Sequence, residues 1–492
     1  VLSGGDNRLS TIGAITTSGG VLDLGNNSQS TSGTITLGGG LIQNGTLTAT
    51  GTAFVAQAGS VSAVLAGTQG LVKSGSGTLT LSGTNTYSGG TNLNEGTLVL
   101  SGGDNRLSTI GTITTSGGVL DLGNNSQSTS GTITLGGGLI QNGTLTATGT
   151  AFVAQAGSVS AVLAGTQGLV KSGSGTITLS GRNTYSGETN LNEGTLVLSG
   201  EDNRLSTIGA ITTSGGVLDL GHNSQSTSGT ITLGGGLIQN GTLTATGTAF
   251  VAQAGSVSAV LAGTQGLVKS GSGTITLSGT NTYSGGTNIT EGSLVLSGGD
   301  NRLSTVGDIT TSGGVFDLGG NSQSTSGVVR FDGGLTQGGT IIATGTAFIA
   351  NSGTVSAVLA GTQGLVKSGD EDVTLTANNT YSGGTTLNSG RLNINSSGTP
   401  LSSPIGTGLL TINGGTLSNT SGTAVVLASN NPQAWNGDFG FSSQSELNLG
   451  IGLVTLGGSR AVAVDSGTLS IGGVISGSGF ALTKTGNGNM VL

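Results

Sequence analysis

Short runs in which Val, Leu and Ile alternate with Thr or Ser recur along the whole chain, as in Thr78, Leu79, Thr80, Leu81 and in the segments GTITL and GTLVL. A period of two puts the apolar side chains on one face of an extended strand and the hydroxyls on the other. The pattern therefore predicts strands throughout, with Val, Leu and Ile inward and Thr or Ser outward. Gly pairs such as Gly19-Gly20 and Gly38-Gly39 separate the runs and are expected at corners, where φ is positive and no Cβ is tolerated. Asn26-Asn27, and Asn92 with Asn94, are expected at the same corners, as turn formers or as hydrogen-bond donors to neighbouring segments.

The runs keep a beat. Comparable strand starts fall at Val21, Leu41, Val61, Thr78 and Thr97, and the series resumes at Val119, giving steps of 20, 20, 17, 19 and 22 residues. Above this lies a longer period: VLSGGDNRLST begins at Val1, Val99 and Val295, and a variant with Glu201 begins at Val197, so that the starts are 98 residues apart. Five coils of about 20 residues thus make one unit, the pattern of a β-solenoid in which no coil buries its apolar face until a neighbour stacks on it. The chain reads as repeats 1–98, 99–196, 197–294 and 295–392, the last divergent, followed by a divergent solenoid continuation over 393–492. Copies one and two differ at four places, where Ala14, Leu79, Thr84 and Gly90 become Thr112, Ile177, Arg182 and Glu188.

Composition removes the competing architectures. With 100 Gly, 3 Pro, 9 Phe, 4 Tyr and 1 Trp among 492 residues, the chain lacks the bulk for a thick globular core, and an immunoglobulin-like sandwich would want a buried Trp in each unit. Collagen needs Gly at every third position and abundant Pro. Disorder fits the Gly, Ser and Asn content but not the compact alternating segments. The net charge of −8 is spread thinly, with 7% charged residues and no basic patch, which argues against a nucleic-acid partner. No run of about 18 apolar residues occurs, so no segment is expected to cross a membrane as a helix. The absence of cysteine suits a fold stabilised by stacking and is compatible with export.

Candidate chemistry is sparse. The single histidine, His222, occupies the place of Asn26 and Asn124 and reads as a surface substitution. Asp6, Asp23 and Glu95 recur but lie a coil or more apart, whereas glycoside hydrolysis needs two carboxyls about 5 to 9.5 Å apart in a groove. Asp370, Glu371 and Asp372 are weak calcium candidates and otherwise a solvated acidic loop. The tyrosines at 87, 185, 283 and 381 are too widely spaced for one sugar ring to bridge, and a corner-packing role is expected of Tyr87 and its counterparts. No enzyme activity and no cofactor is expected.

Residues 70–100 read GLVKSGSGTLTLSGTNTYSGGTNLNEGTLVL, and this segment, which recurs in all four copies, strongly resembles the passenger-associated transport repeat, also called the autotransporter-associated β-strand repeat. Lys73, Asn85, Tyr87, Gly89, Gly90, Gly96 and Leu98 carry the resemblance, and NNPQAWNGDFGF around Trp435 is similar to a passage of large passengers of this kind. Arg182 and Glu188 in copy two, and Asp370, Glu371 and Asp372 in copy four, depart from it and read as surface variation. The resemblance implies a right-handed parallel β-helix, export through the outer membrane, and a structural or adhesive role outside the cell or on the bacterial surface. Taken with the weak surface charge, it leads us to expect a stiff rod that self-associates into fibres or bundles, or the stalk of an adhesin whose recognition module lies elsewhere. Expected partners are thus further copies, or a surface glycan or a receptor on a host or neighbouring cell, with outer-membrane contact only through a barrel or anchor outside this segment.

Overall fold

The computed structural model describes residues 1–492, and every regular element in it is a β-strand. The chain divides into two compact units, Val1–Thr248 and Ala249–Leu492. Each is a parallel β-solenoid, the fold class the alternation and the beat predict.

In the first unit Phe54–Ala56, Leu71–Lys73, Thr91–Leu93, Ile113–Thr115 and Ile133–Leu135 pair in parallel, one coil after the next. A second wall stacks Val21–Asp23, Leu41–Gln43, Gly59–Val61, Thr78–Leu81 and Thr97–Leu100 in the same sense. Five coils separate Ile15 from Ile113, its counterpart 98 residues later. Because the pairing is in register, inward side chains form columns: Leu37, Ala56, Lys73 and Leu93 stand one above another. Leu79 and Leu81 are fully buried, while Thr78 faces solvent. Each buried Leu contributes on the order of 1.5–3 kcal/mol, and it does so only because the next coil covers it.

The second unit repeats this arrangement from Phe250–Ala252 through Leu267–Lys269, Thr287–Ile289 and Ile309–Thr311. The ladder continues past residue 393: Thr385–Leu387 pairs with Leu410–Ile412, which pairs with Gln433–Trp435 and then Val454–Leu456. Trp435 occupies the inward column of Lys367, Leu387 and Ile412 and is fully buried. Its Nε1 donates to Gln433 Oε1 at 3.1 Å, and the Phe439 ring meets it edge-on at 5.0 Å.

Three details differ from the sequence reading. Ser60, one residue before Val61, stands opposite Leu41, and Thr80, two residues after Thr78, stands opposite Ser60, so the beat is off by one in the third coil and by two in the fourth. Of the glycines expected to need a positive φ, Gly20 has φ 66°, but Gly38 and Gly39 are not left-handed and the turn falls on Gly40 at φ 75°. Gly39 is required for a different reason, since a Cβ there would lie 2.9 Å from Ser18 O of the coil beneath. Finally, Asn92 lies within a strand on its outer side, not at a corner. Asn27 does sit at a corner, and its Nδ2 donates to Leu2 O and Leu24 O, both at 3.0 Å.

Candidate functional site

The third wall has strands at Ser28–Thr31, Thr46–Ala49 and Val64–Gly67, and none between residues 82 and 90. A coil without a strand leaves backbone groups of its neighbours unpaired, which is costly when they are buried. Asn85 closes this gap. Its buried Oδ1 accepts the Leu65 N–H at 2.8 Å, and its Nδ2 donates to Arg106 O at 2.6 Å. One coil further, Gln127 Oε1 accepts the Leu107 N–H at 2.7 Å. Side-chain amides thus replace strand pairing where the chain bends inward.

The bend carries Tyr87 into the core. Its ring is fully buried, 6.3 Å from the Phe54 ring at 55°, and its hydroxyl lies 2.7 Å from Thr91 Oγ1. Burial pushes the Tyr87 and Tyr185 phenols up to about 12. An acid whose folded value is raised contributes stability that is complete below its unfolded value, about 10 for Tyr, and lost as pH rises through the folded one. Phenolate absorbance in an alkaline titration should therefore emerge together with loss of the strand signal, well above pH 10. Ionisation near pH 10 with the fold intact would contradict the burial.

Lys73 is the least expected element. It is fully buried among Ala56 and Leu93, and its Nζ donates to three main-chain carbonyls: Ser74 O at 2.9 Å, Gly75 O at 2.7 Å and Glu95 O at 3.1 Å. The first two belong to its own corner and the third to the corner of the next coil, so one ammonium ties two coils together. Gly96 makes room for this, because a Cβ there would fall 2.5 Å from Lys73 Nζ and 2.3 Å from Gly75 O, and its φ is 71°. Burial pushes the Lys73 ammonium below the usual lysine range, and Glu95 opposes this. Lys171 and Lys269 repeat the arrangement with Glu193 and Glu291.

Copy four alters it. Ser389 replaces the glutamate, and Lys367 Nζ keeps two carbonyls, Ser368 O at 2.7 Å and Gly369 O at 2.9 Å. Burial lowers its proton affinity, and the charges of Asp372, Asp370 and Glu371 now supply the opposition. All three carboxylates are exposed, and no group of acidic side chains or histidine converges in a way that could hold a metal ion. The acidic run sits beside Lys367 with its carboxylates turned to solvent.

Gly89 and Gly90 lie at close approaches between coils. A Cβ on Gly89 would be 2.4 Å from Gly70 N, and one on Gly90 would be 2.2 Å from Thr112 Oγ1. In copy two the counterpart of Gly90 is Glu188, and the residue of the next coil opposite it is Ala210, which has no hydroxyl to clash. The exposed Glu188 carboxylate then accepts the Thr212 hydroxyl. Among the other acidic residues, Asp6 accepts the Ser28 N–H at 2.8 Å. Asp23 is held below the usual carboxylate range by the Asn44 amide, with help from the Gly25 N–H and Gln43. His222 is exposed, at a left-handed φ of 65°, close to the 63° of Asn26 in copy one. These groups act as corner caps. The sequence pointed to Asn85, Tyr87 and the glycines, but it gave no inward role to Lys73 or Gln127.

The family model for the passenger-associated-transport-repeat matches residues 71–100, 169–203, 267–301 and 365–394, which contain the four lysine, asparagine and tyrosine sets. Among curated proteins the chain is similar to the adhesin BmaC autotransporter of Brucella suis biovar 1 (strain 1330), at 32% identity over 363 residues. That alignment covers 70% of this chain and 10% of the Brucella protein, so the chain spans about a tenth of its length. No solved structure matches.

Proposed function

Since the chain belongs to the passenger-associated-transport-repeat family of autotransporter passengers, we propose that it serves outside the cell as a non-enzymatic structural segment whose contribution scales with copy number. One observation carries this reading: the polar residues that recur in every copy, Lys73, Asn85 and Tyr87 among them, are buried and bonded within the fold. Little recurring chemistry is left to face a substrate.

The same reading extends to self-association into fibres or bundles. Each copy exposes an aliphatic side chain at the same place, Ile12 at 79%, Ile110 at 62%, Ile208 at 61% and Val306 at 59%. Within the first unit the three isoleucines recur with the period of the repeat, which suits a second copy better than an unrelated partner, and a surface with 7% charged residues offers little repulsion. Sedimentation should show mass rising with protein concentration, and electron microscopy should show bundles. Replacing all four residues by Asn should return the chain to a monomer. Monomers across all salt and protein concentrations would contradict this part of the proposal.

A second reading, favoured by the adhesin name of the Brucella relative, makes the chain the stalk of an adhesin with its recognition module outside this segment. A glycan array on this chain tests what the two readings share: broad capture of neutral glycans would place the recognition module within the segment and contradict both.

A further inference from the structure

In the second unit's counterpart of the wall that holds Thr97–Leu100, Arg391–Ile394 breaks the rule that holds in the first three copies. The outward pair on this strand is Thr97 and Val99, then Thr195 and Val197, then Ser293 and Val295, but in copy four it is Arg391 and Asn393. The strands that follow add hydroxyls to the same face, with Ser418 opposite Asn393 in the ladder. The result is an open cleft of about 420 Å³, lined chiefly by Arg391, Ser418, Asn419, Thr420, Ser442 and Ser466. Its size falls in the range of small-ligand sites.

Part of the lining is already engaged, since Asn419 Nδ2 donates to Thr423 O and Glu446 O, its Oδ1 accepts from Ser421, and Thr420 Oγ1 accepts from Asn395, whereas the serines at 442 and 466 keep free capacity. Ser418 Oγ donates to Ser442 O at 2.8 Å, and Ser442 Oγ and Ser466 Oγ stand 3.4 Å apart. Arg391 Nε is buried and has no hydrogen-bond partner. Asn393, two residues on, is 3% exposed and not part of the lining; its Nδ2 donates to Thr374 Oγ1 at 3.0 Å and its Oδ1 is also unpartnered. A buried donor and a buried acceptor left open on one short strand are unusual in a folded chain. The nearest acid, Asp372, places Oδ2 3.7 Å from Arg391 Nη1, too far for a hydrogen bond, and both side chains are about half exposed. The two form a weak, solvent-screened ion pair with which a ligand anion can compete.

We infer that this cleft binds a carbohydrate that carries a carboxylate, with Arg391 taking the carboxylate and the Ser442, Gln444 and Ser466 side chains the sugar hydroxyls. Arg391 is the one charged residue lining the cleft, so the charge it selects is negative. Its planar fork matches a carboxylate in a bidentate pair. The rest of the lining is hydroxyl and amide, which suits a polyol and gives an apolar ligand or a peptide side chain no anchor. The inference does not depend on self-association: it is read by ligand binding to the 492-residue chain, and fibre formation by sedimentation, so either can fail alone.

The test is titration calorimetry of the whole chain with a uronic-acid oligosaccharide, the matching neutral oligosaccharide, and acetate. The acidic oligosaccharide should bind, with the neutral one and acetate each weaker by about tenfold or more, the loss expected for a charge-assisted hydrogen bond. Arg391→Ser installs the residue that copy three holds at this place, Ser293, and should cost a similar factor while leaving the circular dichroism unchanged. Asp372→Asn should tighten binding, because it removes the competing charge without touching the lining. Equal binding of the neutral sugar, binding of acetate as strong as that of the acidic oligosaccharide, no binding at all, or indifference to Arg391→Ser would each overturn the assignment.

Discussion

Tyr185→Ala is expected to lower the local stability of the coils around residues 169–203 by about 3–5 kcal/mol, the usual range for truncating a buried aromatic. The ring is fully buried, 6.4 Å from Phe152, and its hydroxyl lies 2.6 Å from Thr189 Oγ1. Truncation leaves a void beside Phe152 that the coils cannot close, because their spacing is fixed by backbone pairing above and below. Tyr185→Phe keeps the ring and strands the Thr189 hydroxyl, so a loss of about 1 kcal/mol is expected. A solenoid opens in segments, so a single melting temperature is a poor readout. Hydrogen exchange of the Leu169–Lys171 and Thr189–Leu191 amides reads the effect directly, with distant repeats unchanged. Equal losses for the Ala and Phe variants would contradict the packing account.

Lys171→Met should cost about 3 kcal/mol in the same coils, although methionine is the more apolar residue. Lys171 Nζ donates to Ser172 O at 2.9 Å, Gly173 O at 2.6 Å and Glu193 O at 3.1 Å. Removing the cation leaves three carbonyls without a donor, and each such group costs about 1–3 kcal/mol to the extent that water stays out. A hydrophobic residue normally replaces a buried charge at little cost when its partners are removed as well. Here the partners are main chain and cannot be removed. Exchange protection at Asn192 and Thr195, whose N–H groups bond to Lys171 O and Gly175 O, is the measurement. Gly194→Ala should act in the same place, because its Cβ would lie 2.6 Å from Lys171 Nζ at a φ of 68°. If Lys171→Met left exchange unchanged or slower, the lysine would be incidental to the fold.

The lysine also shows where sequence reading stopped. Alternation gives Lys73 the same parity as Leu71, hence an inward position, and the structure obeys that parity. Charge argues for solvent, and only the corner carbonyls that follow in Ser-Gly-Ser-Gly resolve the conflict, since three acceptors close together exist only once two corners are stacked. The five-coil repeat, the inward Leu columns and the packed tyrosine were all legible, because period-two alternation and coil length are local properties. The amides of Asn85 and Gln127 were not, because a side chain that replaces a missing strand looks in sequence like a turn former. Gly90 was legible as part of a motif but not as a contact. What it must avoid is Thr112, one coil away, and it becomes replaceable when that residue is Ala210. The cleft at Arg391 was hidden for a similar reason, since its lining comes from strands in successive coils of the divergent region.

Everything above depends on coils lying directly on one another in register, and spin-label distances measure this most directly. Thr16, Thr114 and Thr212 stand on one outward column of the first unit, five coils apart each time. The chain has no cysteine, so pairs introduced at these positions are unique labelling sites. At about 4.8 Å per coil, pulsed electron–electron resonance should give narrow distributions near 24 Å for 16 with 114 and near 48 Å for 16 with 212. Broad distributions, or distances that do not double when the number of intervening coils doubles, would show separate folded units on flexible joints and would contradict the solenoid.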